Sequence, residues 1–417
     1  MKVVLKTYWI QFISIVAVLI VLIVESKGRN DFDIFISASK DLMLGKNIYA
    51  ISYNDWYHYY YDVLFALLLS PFNSLPIFFV KLIWLCGNVF FVFRIWKIIY
   101  NWLPINHWSS SQKHIFTLLS FVFVLSFLRD NFHLAQLTIF ILYLILEGLN
   151  LISNDKIIAG SALIALGINI KLLPLFILPY LIYRNQWKAF FYIVLFCAIG
   201  LLLPALFIGY HYNIFLLIER WHLINPTNQQ HILDTSERSF HSLTTLLTTL
   251  LIKDCGDTFA LPIKRNIADI SIENLSIAIN CCRCFFIFFT LYFLQKPFTT
   301  SVTKIQRLYE VSYICIIIPL LFPHQQFYAF LFIFPATTYL LFFLFNNYFL
   351  QKNKSKNKKA LLIAALAIIY FLTNSHFILG VFNDYYQHFK TLTYGVLMLI
   401  IVLAFCHPNK LMKQSEG

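Results

Sequence analysis

Two carboxylates, Asp31 and Asp33, stand two residues apart directly behind the first apolar run of the chain, residues 8–24. A carboxylate fixed at a bilayer surface can take a proton from a hydroxyl if it has hydrogen-bond reach and a suitable pKa. The same acids can also serve as a helix cap or simply be solvated. Successive helical residues project about 100° apart, so two acids at this spacing cannot both aim at one hydroxyl.

A second set of residues is cationic or polar. Lys171 lies between two short apolar stretches, where it must either snorkel to the surface or meet an anion such as a lipid phosphate. Arg129 follows an apolar run, and Arg238 lies in SERSFHSL within a long connector; each can meet phosphate with two bonds. Arg238 can equally pair with Glu237 or Asp234. His324 and Gln325 follow Pro323 between two apolar runs, where a histidine donates to a phosphate or a sugar hydroxyl or decorates the interface. His133 and His241 are weaker candidates of the same kind. Glu147 lies deep in an apolar run and is expected to pair within a bundle.

These residues must be positioned by membrane helices. Of the 417 residues, 59% are hydrophobic and 12% charged, which is more apolar than a soluble core can hide. The net charge of +13 does not line one face but is scattered between apolar runs, which fits topology rather than nucleic acid. Of the 8 cysteines, Cys281, Cys282 and Cys284 crowd the start of one apolar run, and no second CxxC stands with them to complete a zinc set; all read as packing residues, so neither a metal nor a cofactor is expected. The expected fold is an all-α polytopic membrane protein, residues 1–417 as one integral membrane domain. About twelve spans are expected, at 8–24, 77–99, 115–128, 137–152, 157–170, 172–183, 187–208, 275–294, 308–322, 327–345, 360–373 and 392–405. Lys2 and Lys6 before the first run resemble a signal peptide without its cleavage site, so a retained helix is expected.

Placing the N-terminus inside puts Arg94, Lys97, Lys113, Lys156, Arg184, Lys188, Lys296, Lys304 and Arg307 on the cytoplasmic side. The basic run 351–359 and the C-terminal lysines fall there too. The opposite face receives two long connectors, 25–70 and 209–273, which carry most of the acids. An extracytoplasmic site in the cytoplasmic membrane is therefore expected. Within 25–70, Ile34, Phe35, Ala38 and Leu42 form one stripe of an amphipathic helix that holds Asp31 and Asp33 at the surface.

The order of five segments resembles glycosyltransferase family 87, membrane-embedded GT-C enzymes that use polyprenyl-phosphate sugars and include the mannosyltransferase of phosphatidylinositol mannoside assembly. They are DFDIFISASKDLMLGKNIY (31–49), LFALLLSPFNSLPIFFVKLIWLCGN (64–88), HLAQLTIFILYLILEGLNLI (133–152), IIAGSALIALGINIKLLPLFILPYLIYRNQWKAF (157–190) and FPHQQFYAFLFIFPA (322–336). The resemblance implies a GT-C-like bundle with amphipathic interfacial helices, and makes Asp31 the acid that takes the acceptor's proton, with Asp33 a neighbour. The family's Gly-Gln pair stands here as Ala135 and Gln136, a departure at the glycine, and its Lys-Pro is spaced out as Lys171 and Pro174.

The activity implied by the resemblance is inverting transfer of a hexose such as mannose from a polyprenyl-phosphate sugar to a lipid or glycan acceptor. Lys171, Arg129, Arg238, His324, Gln136 and Gln325 would hold the donor or its phosphate, and no metal is required. Rival readings are a transporter or flippase, which the two acid-bearing outer connectors disfavour, and an O-antigen polymerase or ligase.

Overall fold

The computed structural model describes residues 2–53, 57–225, 240–253, 255, 261–294, 302–349 and 356–409. Its helices are α1 (Lys2–Lys27), α2 (Phe32–Met43), α3 (Val63–Leu69), α4 (Ile77–Trp102), α5 (Ser110–His133), α6 (Thr138–Ile152), α7 (Ile157–Ile170), α8 (Ile177–Tyr183), α9 (Trp187–Leu202), α10 (Ala205–Ile208) and α11 (Tyr210–Ile224). They continue as α12 (Leu243–Leu251), α13 (Ile272–Leu294), α14 (Lys304–Leu321), α15 (Phe334–Leu344), α16 (Lys356–Asn374), α17 (Asn383–His388) and α18 (Thr391–Phe405). No strand occurs among the described residues.

Six helical stretches are long and apolar enough to cross a membrane: Ile77–Trp102, Ser110–His133, Trp187–Ile208, Ile272–Leu294, Phe327–Phe349 and Lys356–Phe377. Gly380–His388 and Thr391–Phe405, bent by 68° at their junction, make at most a seventh among the described residues. The all-helical membrane architecture is as expected, while the count of about twelve spans is not confirmed among the described residues. The reason is length and charge: α6, α7 and the segment Leu173–Tyr183 are apolar but short, and α14 opens on Lys304, Arg307 and Glu310. Large apolar side chains on α13, such as Phe285 and Phe288, stand exposed at 59% and 70%. A face of that kind is stable only against lipid or another protein.

The chain divides into two units. The first comprises Met1–Ile95, Arg129–Leu172 and Phe191–Asn225. In it α2 buries Ile34, Phe35, Ala38 and Leu42, the stripe expected from the 3.6-residue period. Helices α6 and α7 pack where each offers a glycine: a Cβ on Gly148 would lie 2.9 Å from the Gly160 carbonyl oxygen. Glu147 on α6 accepts two bonds of 2.8 Å from Arg94 on α4, the partner its depth demanded.

The second unit comprises Trp96–Leu128, Leu173–Phe190 and Pro226–Gly417. Helix α14 is almost entirely buried, and its Glu310 meets Arg184, Tyr180 at 3.1 Å and Gln306 at 2.8 Å. A buried carboxylate survives only with such partners. Asn374 at the end of α16 donates to the Phe123 carbonyl at 3.2 Å and also meets Ser126.

Candidate active site

Asp31 occupies the residue before α2 with helical backbone angles, φ −64° and ψ −20°, and its side chain makes no cap bond. Its carboxylate instead accepts a hydrogen bond from the Gln136 amide, 105 residues along the chain. Capping falls to Asp33. Its Oδ2 accepts from the Asn30 backbone N–H at 2.9 Å and from the Lys81 ammonium at 2.8 Å, and it lies in the first turn where a negative charge complements the helix dipole. Lys81, 4% exposed at its side chain, also donates to the Gly28 carbonyl at 2.6 Å. The two acids, equivalent in sequence, therefore have different surroundings.

Gln136 reaches Asp31 because of how α5 ends. The Gln136 N–H donates to the Asn131 carbonyl at 2.9 Å and the Ala135 N–H to that of Phe132 at 3.2 Å, the paired bonds of a Schellman termination. Such a turn needs one left-handed residue, and Ala135 supplies it at φ 49°. Where the family pattern has glycine the turn is kept, and alanine bears the strain. Ala135→Gly should thus raise stability by about 0.5–1 kcal/mol, offset in part by the greater freedom of glycine in the unfolded chain. Thermal unfolding in detergent would check it; a fall in midpoint would show that the turn gains nothing from glycine.

Lys171 follows α7 in extended conformation, φ −147° and ψ 127°. Its ammonium lies 5.7 Å from the centroid of the Tyr61 ring, within cation–π range. Desolvation pushes the Lys171 ammonium down to about 8, and the Asp31 charge pulls it back up. Burial first, and then the same Asp31 charge, raise the Tyr61 phenol. Asp31, Gln136, Lys171 and Tyr61 thus form one group, gathered from four segments of the first unit.

Tyr61, Lys81 and Arg220 carry no signal that singles them out in the sequence. Tyr61 is held through its neighbour. The Asp62 N–H donates to the carbonyl of Ile170, beside Lys171, at 3.4 Å, and the Tyr49 hydroxyl donates to the Tyr61 carbonyl at 2.9 Å. Asp62, fully buried, caps α3 by accepting from the Leu64 N–H at 2.9 Å and pairs with Arg220 on α11. Charged residues on separate connectors give no periodic signal, so only an unusually apolar context hints at the pair.

Arg129, expected just beyond a span, lies instead within the last turns of α5, exposed, beside Asp130. His133 at the end of that helix contacts Glu25 at 2.9 Å. His324 and Gln325 belong to the second unit. His324 adopts a left-handed backbone, φ 55°, and stacks on Phe240 at 5.0 Å. The Gln325 side-chain amide donates to the Pro323 carbonyl at 2.9 Å, and the Gln325 backbone carbonyl accepts from the His241 backbone N–H at 2.8 Å. His241 is buried, which holds its imidazole well below the usual range, with Lys390 adding to the effect. Arg238 lies outside the described residues.

No curated protein and no solved structure matches the chain. The family model of glycosyltransferase family 87 matches residues 59–252, a stretch that holds Tyr61, Arg129, Gln136, Lys171 and Arg220. Asp31 precedes it, and His324 and Gln325 follow it. The match agrees with the resemblance over the three segments it covers: across residues 59–252 this helical membrane protein is similar to glycosyltransferase family 87.

Proposed function

We propose that the protein is an inverting glycosyltransferase that moves a hexose, such as mannose, from a polyprenyl-phosphate sugar to a hydroxyl of a lipid or glycan acceptor on the extracytoplasmic face of the cytoplasmic membrane. The observation that carries this reading is the Gln136–Asp31 hydrogen bond, with the buried Lys171 ammonium close enough to feel the charge of the same carboxylate. A carboxylate oriented by a positioned donor is suited to take a hydroxyl proton. A neighbouring cation suits a phosphate that gains charge as it leaves.

In the proposed step the acceptor oxygen forms a bond to the anomeric carbon as the bond from that carbon to the phosphate oxygen breaks. The acceptor proton passes to Asp31, and the polyprenyl phosphate leaves with the electron pair. One displacement gives inversion. A lipid phosphate leaves readily, so the step calls for no metal. Lys171 offsets the phosphate charge. Arg129, Arg238, His324 and Gln325 are the further donor-binding candidates, while Asp33, bound to Lys81, supports the turn. Incubating the purified protein with a panel of radiolabelled polyprenyl-phosphate sugars and lipid or glycan acceptors tests the reading: labelled acceptor supports it, and solute movement across proteoliposomes without any sugar transfer sinks it.

Lys171 gives the reading a pH signature. The free enzyme holds an anion through this residue only while the ammonium keeps its proton, so donor affinity should fall as pH rises through about 8. Stability should move the other way. The unfolded chain keeps the lysine proton up to its ordinary value near 10.5, so unfolding grows less favourable between about 8 and 10.5. Donor binding and thermal unfolding measured over that range check both signs, and Lys171→Met should flatten both curves.

A further inference from the structure

Helix α4 passes the proposed base on one face. Lys81 and Trp84 are three residues apart and so neighbours along the helix surface. Lys81 holds the Gly28 carbonyl at 2.6 Å and Asp33 at 2.8 Å, one on each side of Asp31 in sequence. The Trp84 indole N–H donates to the Ala135 carbonyl at 3.1 Å, in the turn that delivers Gln136. The Trp84 ring stacks on Phe32, the residue after Asp31, with centroids 5.3 Å apart and planes 28° from parallel. Its other flank meets Phe140 of α6 edge-on at 5.9 Å.

Asp31 and Gln136 sit on two short turns 105 residues apart in sequence, so their register depends on the side chains that grip both. Trp84 touches both, and Lys81 fixes the first of them from one helical turn away. We infer that Lys81 and Trp84 are positioning residues that set the Gln136 amide on the Asp31 carboxylate. The inference rests on the reading of Asp31 as base. Neither residue touches substrate; each acts through the geometry of the pair. The charged and titratable groups around Asp31 include Lys171 at the end of α7, Tyr61 before α3, the Asp33–Lys81 pair, and Arg29 two residues before Asp31. A donor aimed at a carboxylate favours its ionised form, so a variant in which Gln136 drifts away titrates its base at higher pH.

Trp84→Phe keeps an aromatic ring for Phe32 and removes only the N–H. Turnover should fall roughly ten- to a hundredfold, as small displacements of reacting groups do. The donor KM should be unchanged, and the acid limb of the turnover profile should move up by roughly a pH unit. Lys81→Arg should retain most turnover and Lys81→Met lose it, because a guanidinium still reaches both oxygens. Combined with Asp31→Asn, Trp84→Phe should cost nothing further, since the group it positions is already gone. An unmoved acid limb, or losses that multiply in the double variant, overturns the positioning role while leaving the base intact. Full turnover in Asp31→Asn alone overturns the base, and this role with it.

Discussion

Asp31→Asn should leave donor binding near normal and cut sugar transfer by about a hundredfold to ten-thousandfold, the usual contribution of a positioned base. The substitution keeps shape and removes the proton acceptor, and the amide can still face Gln136 by offering its own oxygen. Asp33→Asn should act differently. It weakens the pairing of Lys81, a buried ammonium whose other partner is a backbone carbonyl, so the loss should be in the amount and thermal stability of folded protein, with the remaining molecules turning over at a rate closer to the parent's. Transfer assays normalised to folded protein separate the two. Near-normal transfer by Asp31→Asn with collapse in Asp33→Asn would place the base at Asp33.

The other large effect should come from Arg220→Met. The substitution keeps much of the side-chain volume but strands Asp62, whose side chain is fully buried. Breaking one half of such a pair typically costs about 3–5 kcal/mol, because the remaining charge has neither water nor partner. The thermal midpoint in detergent should fall sharply, and protein that survives should bind donor poorly, because Asp62 ties the Tyr61 segment to Ile170 beside Lys171. Adding Asp62→Asn to Arg220→Met should recover part of the midpoint. An unchanged midpoint in Arg220→Met would show that water reaches Asp62.

Much of this arrangement is legible in the residues themselves. The stripe on α2 announces itself because a one-sided burial imposes a period that sequence displays, and all four of its residues are buried. The turn at Lys171 is legible because a cation between apolar runs has few places to go, and the need of Glu147 for a partner follows from the same cost. Which cation answers is not legible: Arg94 is 53 residues away, and Arg220 lies 158 residues from Asp62. Span number is less legible: an apolar run in sequence does not say whether lipid or protein will cover it, and even the span-length stretch Phe327–Phe349 is wrapped almost wholly by protein. The departure at Ala135 puts the local backbone in question, yet the hydrogen bonds of the turn outweigh the strain of one left-handed alanine.

The pairing of α6 with α7 has a consequence for the lipid around it. At 15 and 14 residues, with about 1.5 Å of rise per residue, the two helices are only about 22 and 21 Å long, against about 30 Å of hydrocarbon in an ordinary bilayer. Gly148 packed on Gly160 leaves no room for the pair to slide into a longer composite. A membrane adapts to so short an element by thinning around it. Were the pair to face lipid and the donor to be the proposed polyprenyl phosphate, headgroups dipping toward Lys171 would bring that phosphate to the lysine below the level of the surrounding surface. Host lipids with shorter acyl chains would make that dimple less costly, so the proposed sugar transfer should quicken as the host bilayer thins.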